Sequence, residues 1–397
     1  MKITVRFHSV LLVLCALFSH LVLAAQKPKA TAKGDTLAFV GTYTTKTSSK
    51  GIYAFRYDSA TGKLTSLGVA AETVDPSFLA IHPSGKFLYA VNETGNFQGQ
   101  ASGAISAYAI DRSTAKLTLL NQVASGGADP CYVSLDKTGK YVLVANYTGG
   151  SAAVFPILDD GKLGSRTAFV QHTGHGVNLE RQEGPHLHWT GTSPDNRFVL
   201  MTDLGLDEVG IYRFDSTKGT LGIKDSLHAM VTEGAGPRHI AFHPNGKIFY
   251  LLNEMQGTVD VYAYKAREEK RPTTQVLQEI STLPADYAGA KQNTTAEIVV
   301  HPSGRFLYAS NRGHDSIAVF AIDSATGKLT SKGYVPTGGK EPRHFAIDPT
   351  GKHLLAENQL SDSIVTFGID PASGQLTVTG DSVSVPSPVD LVFLPAD

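Results

Sequence analysis

Cysteine is nearly absent from this 397-residue chain: the two present are Cys15 and Cys131. Once the N-terminal segment discussed below is removed, Cys131 stands alone, which excludes an intramolecular disulfide. It sits in the strand-like run Pro130-Cys-Tyr-Val-Ser-Leu and reads as a small buried apolar residue, not a nucleophile. Charge of one sign is also lacking. The 35 basic residues face 36 acidic ones, and no stretch has the basic excess that a phosphate-tracking groove needs, so nucleic acid is not expected as a partner. After the N-terminus no hydrophobic run is long enough to span a bilayer. A Gly-x-Ser-x-Gly elbow, a Walker-type loop and a dinucleotide fingerprint are all missing, which argues against serine-elbow hydrolases and nucleotide-dependent enzymes. No cofactor is expected.

What is present is enough apolar sequence for a large core: 42% hydrophobic against 18% charged residues, a globular composition. Residues 1–25 carry Lys2 and Arg6, an apolar run from Val10 to Phe18, small residues at Ala24 and Ala25, and no acidic residue. This is the pattern of a secretory signal peptide. A membrane anchor fits less well, because the run is short and leads into the polar Gln26-Lys-Pro-Lys. The expected mature protein is therefore exported, periplasmic or secreted, without membrane attachment after cleavage near Ala24 or Ala25. A linker over residues 26–36 then precedes one domain, residues 37–397.

Length alone suggests two or three domains at about 150 residues each, but internal repeats argue for one. The unit His82-Pro-Ser-Gly-Lys-Phe-Leu-Tyr-Ala-Val-Asn-Glu returns with variations from Asp136, Ser193, His243, His301 and Asp348, at steps of 54, 57, 50, 58 and 47 residues. Such a period belongs to solenoids or propellers. Each unit reads as a short apolar strand, a Pro-x-Gly turn and two further strands, such as Lys247 to Leu252 and Thr258 to Tyr264. A second turn, as in Asp323-Ser-Ala-Thr-Gly-Lys-Leu, leads to a fourth strand. Four antiparallel strands make a propeller blade. The leftovers at the two ends complement each other: Leu37-Ala-Phe-Val-Gly-Thr-Tyr begins a blade for which Pro388-Val-Asp-Leu-Val-Phe-Leu supplies the missing inner strand. The expectation is an all-β, seven-bladed propeller closed by pairing of the N- and C-terminal strands, which hides both sheet edges. An open β-solenoid is the alternative, but its rungs are shorter and need no complementary ends.

In such a blade, residues just before the first strand and just after the second meet at one mouth of the central channel. This places His186, His188, Asp203, Arg238, His239, Glu254, Glu297, Arg312, Arg343 and His344 together, while His82, His243 and His301 go to the opposite rim as turn residues. Arginines, carboxylates and histidines converging on a concavity suit a small anionic molecule and acid/base chemistry; mutual salt bridges between blades are the plainer reading. Residues 171–185 form a long polar connection at the same mouth, expected to act as a lid or binding loop. His186 and His188 on alternate positions could also hold a metal, but no third ligand or cysteine accompanies them.

Five segments together resemble the seven-bladed propeller lactonase family, which includes the propeller-type 6-phosphogluconolactonases and the carboxymuconate lactonizing enzymes. They are Asn146-Tyr-Thr-Gly-Gly-Ser, Glu180-Arg-Gln-Glu-Gly-Pro-His-Leu-His, Asp203-Leu-Gly-Leu-Asp, Gly236-Pro-Arg-His-Ile-Ala-Phe-His-Pro and Ser310-Asn-Arg-Gly-His-Asp-Ser-Ile. The resemblance implies a metal-free site in which a histidine, a glutamate and arginines act on a lactone or its open acid. By residue match these are His188, Arg238, Glu254 and Arg312, with His186, Asp203, Asn146, Glu297 and Arg343 expected to bind substrate. Glu254, with His188 as the rival, is the expected base. A monomer is expected. Two features depart from the family: Trp189 stands where similar sequences carry serine, and the signal peptide sits oddly with a phosphorylated cytosolic substrate. A lactonizing cycloisomerase and a non-catalytic ligand- or protein-binding propeller are the remaining readings.

Overall fold

Strand-forming runs three to twelve residues long, punctuated by glycine-bearing turns, leave the chain few options besides stacked antiparallel sheets. The computed structural model describes Met1, residues 36–267 and residues 270–396. The expected signal peptide and nearly all of the linker lie outside the described residues. Seven four-stranded antiparallel sheets are present. We number the blades by their innermost strands: Pro388–Leu394 in blade 1, then Leu79–Ile81, Pro130–Leu135, Leu187–Thr192, Pro237–Phe242, Thr294–Val300 and Pro342–Ile347 in blades 2 to 7. Each innermost strand packs against those of the blades on either side, all the way round, so the ring closes. Closure is made by Pro388–Leu394 pairing antiparallel with Thr36–Thr42, with Phe39 opposite Val392.

The core sits between blades. Seven hydrophobic clusters are found among the described residues, each shared by two neighbouring sheets, such as Leu37, Phe39, Leu88 and Ala90 between blades 1 and 2. The second strand of a blade is covered on both faces, which is why Tyr141–Asn146 and Ile248–Asn253 are buried throughout and read as unbroken apolar runs. Outermost strands such as Lys63–Glu72 are covered on one face and mix exposed with buried positions.

Two repeated devices set the rims. At the end of the second strand a buried asparagine ties its blade to the end of the preceding one: Asn92 Nδ2 donates to the Val74 carbonyl at 2.6 Å, Asn311 Nδ2 to that of Thr282 at 2.8 Å and Asn358 Nδ2 to that of Thr337 at 3.3 Å. At the other rim, His82, His243 and His301 each place Nε2 within 2.8–2.9 Å of a carbonyl in the next blade's turn, those of Gly139, Gly304 and Gly351. Those glycines have φ near +70°, and a Cβ at any of them would stand 2.9 Å from the histidine ring, so both backbone and neighbour demand glycine.

The innermost strands carry a third device that the sequence conceals. In blade 4 Leu187 pairs with Asp203 but Trp189 pairs with Thr202, leaving His188 as the extra residue of a β-bulge. The same slip leaves out Cys131 in blade 3, Arg238 in blade 5 and Arg343 in blade 7, and takes in Ala296 and Glu297 in blade 6. A bulge re-aims its extra side chain out of the alternating pattern, and here it does so at the same height in neighbouring blades.

Candidate active site

A cavity of about 260 Å³ opens at the mouth reached by these bulges. It is lined by Glu93, Cys131, Tyr147, Arg181, His188, Glu254, Thr294, Arg312 and Arg343. Two repeat positions supply most of this list. The bulged residue gives Cys131, His188 and Arg343, and the residue directly after the buried asparagine gives Glu93, Tyr147, Glu254 and Arg312.

Glu254 is its electrostatic centre. Arg181 Nη2 donates to Oε1 at 2.7 Å, and Arg238 Nε and Arg312 Nη2 both stand 3.0 Å from Oε2. Burial alone would raise the carboxyl, but Arg312, then Arg238 and Arg181, outweigh it and hold the group down at about 2. Arg238 is brought down to about 10, by burial first and Arg312 second. Arg238 and Arg312 each have a backbone anchor as well: Arg238 Nη1 donates to the Ala296 carbonyl, and Arg312 Nη2 to that of Thr295 at 2.9 Å. The Nε–H groups of Arg238 and Arg312 make no aligned hydrogen bond, so although Arg238 Nε is close to Glu254, donors remain to spare.

His188 Nε2 lies 4.0 Å from Glu254 Oε2 and its Nδ1 3.8 Å from Cys131 Sγ. Burial, followed by the positive fields of Arg238, His239 and Arg343, keeps the ring well below the usual histidine range and therefore neutral. Cys131 is buried, as its apolar context suggested, and burial pushes its thiol up, away from thiolate chemistry. Arg343 lies 5.2 Å from the centre of the Tyr43 ring and has no carboxylate within 4.0 Å among the described residues.

Several expected binding residues do not line the cavity. Asn146 occupies the asparagine-post position, fully buried, with Nδ2 donating to Ser151 Oγ at 3.1 Å. Asp203 is the same post in blade 4. It takes the backbone N–H groups of His186 and Gly205 at 2.8 and 3.0 Å on Oδ1 and His172 Nδ1 at 2.6 Å on Oδ2, leaving nothing for a ligand. His186 does not line the cavity; it stacks on Tyr147, which does, with ring centres 4.5 Å apart, and so supports the wall from behind. Asp203→Ala should therefore destabilise the fold by about 3 kcal/mol or more, through three stranded donors, in a urea titration, without changing which lactone is preferred.

Glu297 lies deeper, in a second buried cluster that fills the channel. Its Oε2 is 3.0 Å from His239 Nδ1 and 3.6 Å from His344 Nε2, while His344 also reaches Glu357 at 2.8 Å and Asp390 at 3.1 Å. Phe78 and Tyr132 pack against it, and Trp189 packs on Tyr132 as part of the core between blades 4 and 5, so Trp189 does not line the cavity. Burial pulls His344 down, but Asp390, Glu357 and Glu297 hold it up at about 9; burial pushes Asp390 up to about 7 against His344. A histidine raised in this way stabilises fully below its ordinary value and loses that contribution as pH rises through 9. An aspartate raised by burial costs stability as pH rises from its ordinary value near 4 to about 7, and so acts below that window. The calorimetric melting temperature is therefore expected to fall between pH 7 and 9 through His344, and Asp390→Asn, which removes the carboxylate that does most to hold His344 up, to flatten that fall.

Sequence reading overlooked Arg181, Tyr147 and Glu93. Arg181 comes from the long polar loop, which is not free: Gln182 is fully buried, donates to the Leu204 carbonyl at 2.9 Å and pins the loop so that Arg181 meets Glu254. Among the described residues no group of three or more His, Cys, Asp or Glu is arranged to hold a metal ion, and no helix is long and apolar enough to cross a membrane.

Residues 37–393 match the family model described as lactonase, seven-bladed β-propeller. The chain belongs to that family. It is 38% identical to a 6-phosphogluconolactonase of Bacillus subtilis over 90% of this chain and 98% of the relative. Identity to a 6-phosphogluconolactonase of Formosa agariphila is 36%, over 78% and 85% of the two chains. Among solved structures it is similar to the periplasmic gluconolactonase of Pseudomonas aeruginosa, with a TM-score of 0.83 and 34% identity over 91% of this lactonase-family chain and 100% of the other.

Proposed function

We propose that the protein hydrolyses a sugar-acid lactone of the gluconolactone type, with Glu254 as general base and Arg312 and Arg238 stabilising the oxyanion. The observation that carries this reading is a carboxylate gripped by three guanidinium groups beside a neutral imidazole, in a cavity sized for one small ring. The positive charge is not used up internally. Arg181, Arg312 and Arg343 line the cavity with Glu93 and Glu254, Arg238 reaches Glu254 without being part of the lining, and counting Glu341, 3.9 Å from Arg312, four arginines against three carboxylates still leave a surplus. That favours an anionic transition state over a mouth sealed by its own salt bridges.

A water about 2.8 Å from both Glu254 Oε2 and His188 Nε2 fits the 4.0 Å between those atoms. Glu254 takes its proton as the water oxygen attacks the lactone carbonyl carbon. The charge that develops on the carbonyl oxygen is met by guanidinium donors already in place. Collapse of the tetrahedral intermediate breaks the ring C–O bond, and the departing ring oxygen recovers the proton from Glu254. A carboxyl held near 2 is a weak base in the resting pocket. When the substrate draws hydrogen bonds from Arg312 and Arg181, their hold on Glu254 loosens and its proton affinity rises at the step that needs it.

Export is part of the proposal. The sequence of residues 1–25 and the similarity to a periplasmic gluconolactonase support it, and an exported enzyme meets an unphosphorylated lactone more readily than a cytosolic sugar phosphate. A monomer acting on a small anionic lactone or its open acid completes the reading. The test is acid release in a pH-stat, with gluconolactone, 6-phosphogluconolactone and a muconolactone, with and without chelator. Gluconolactone hydrolysis well above the spontaneous rate and insensitive to chelator is expected; no acceleration with any of the three refutes the reading.

A further inference from the structure

Glu93 and Glu254 occupy the same position of the repeat, each following a buried asparagine, in blades three apart on a ring of seven. Both line the one cavity, so the mouth has two carboxylate-bearing walls. Their surroundings differ in kind. Glu254 has both oxygens committed to guanidinium groups. Glu93 receives two hydroxyls on a single oxygen, Oε2: that of Tyr43 at 2.9 Å and that of Ser77. No guanidinium lies within 4.0 Å of it among the described residues, although Arg343, from blade 7, lines the same cavity and stacks on the same Tyr43, which comes from the intervening blade 1.

We propose that Glu93 determines substrate specificity by accepting hydrogen bonds from ring hydroxyl groups of the lactone, on the wall that faces the reacting carbonyl. This rests on the lactonase reading and adds to it that the preferred substrate is a polyhydroxylated lactone. Tyr43 and Ser77 fix the carboxylate through Oε2 and leave Oε1 for the ligand. Arg343 beside it supplies donors to the same hydroxyls or to an anionic substituent. A carboxylate is a strong acceptor for vicinal hydroxyls. A site built around such contacts rejects an analogue lacking the hydroxyls, because a desolvated acceptor is then left without a partner. Hydroxyls remote from the carbonyl thereby position the ring against Glu254.

The test compares D-glucono-δ-lactone with δ-valerolactone, which keeps the six-membered ring and carries no hydroxyl group. Glu93→Gln should lower kcat/KM for gluconolactone about 10- to 100-fold and change that for valerolactone less than about twofold, so the ratio between substrates contracts. An equal loss on both substrates would assign Glu93 a structural role and overturn the inference while leaving the lactonase reading standing, as would an unchanged ratio. Wild-type protein inactive on both would remove the reading itself, and the inference with it. Tyr43→Phe, which removes one of the two hydroxyls on Oε2 and loosens the carboxylate, should contract the ratio in the same direction. Calorimetric titration with D-gluconate and with 5-hydroxypentanoate gives a readout free of turnover: Glu93→Gln should weaken gluconate alone, and equal weakening of both would overturn the proposal.

Discussion

Glu254→Gln is expected to lower kcat for gluconolactone at least about 100-fold, within the range by which a positioned base accelerates proton transfer. The substitution keeps the shape of the side chain and removes only its charge and basicity. Arg238 and Arg312 retain their bonds to the Ala296 and Thr295 carbonyls, and Arg181 is partly open to solvent, so the variant should fold with a reduced melting temperature. The three guanidinium groups would then lack a carboxylate, and affinity for the product gluconate should hold or rise. Loss of kcat without loss of gluconate binding distinguishes removal of a base from removal of a binding group. A kcat within about threefold of wild type would show that the proton goes elsewhere.

Arg312→Met should cost about 100- to 1000-fold in kcat/KM, the range seen when one oxyanion donor is removed. It should also leave a signature in the pH profile. Glu254 works as a base only when ionised, and among the groups that hold it near 2 Arg312 is the strongest. Without Arg312 its proton affinity rises, and the acidic limb of kcat/KM moves to higher pH. In wild type both Glu254 and His188 are deprotonated well below the ordinary histidine range, so activity should not begin to fall near pH 6.5. A profile whose acidic limb is the same in both proteins would separate Arg312 from Glu254.

The hairpin logic of the repeats was legible in sequence, and with it the ring closure and the meeting of Arg238 with Glu254, because both follow from where a Pro-x-Gly turn folds a strand back. Which residue at the mouth faces the ligand was not. Asn146 and Asp203 stood in recognisable motifs, yet they are the posts that bind one blade to the next, and it is the residue after a post, Tyr147 after Asn146 or Glu254 after Asn253, that faces the cavity. That offset could have been read from the repeats themselves: Ala90-Val-Asn-Glu and Leu251-Leu-Asn-Glu differ little, so a role for Glu254 already implied a place for Glu93. The bulges at Cys131, His188, Arg238 and Arg343 had no such signal. An extra residue in one strand is set by pairing with its partner, and no local propensity marks it. Arg181 was hidden for a related reason: its placement depends on Gln182 being buried against blade 4, a tertiary contact made by a loop with no periodicity.

The most direct measurement is a crystal structure of Glu254→Gln, slowed enough to retain substrate, soaked with D-glucono-δ-lactone. The account predicts the ring inside the cavity between blades 2 and 5, its carbonyl oxygen within hydrogen-bond distance of Arg312 or Arg238 and its hydroxyls toward Glu93. A lactone bound with its carbonyl turned away from those arginines, or lodged outside that cavity, would contradict it.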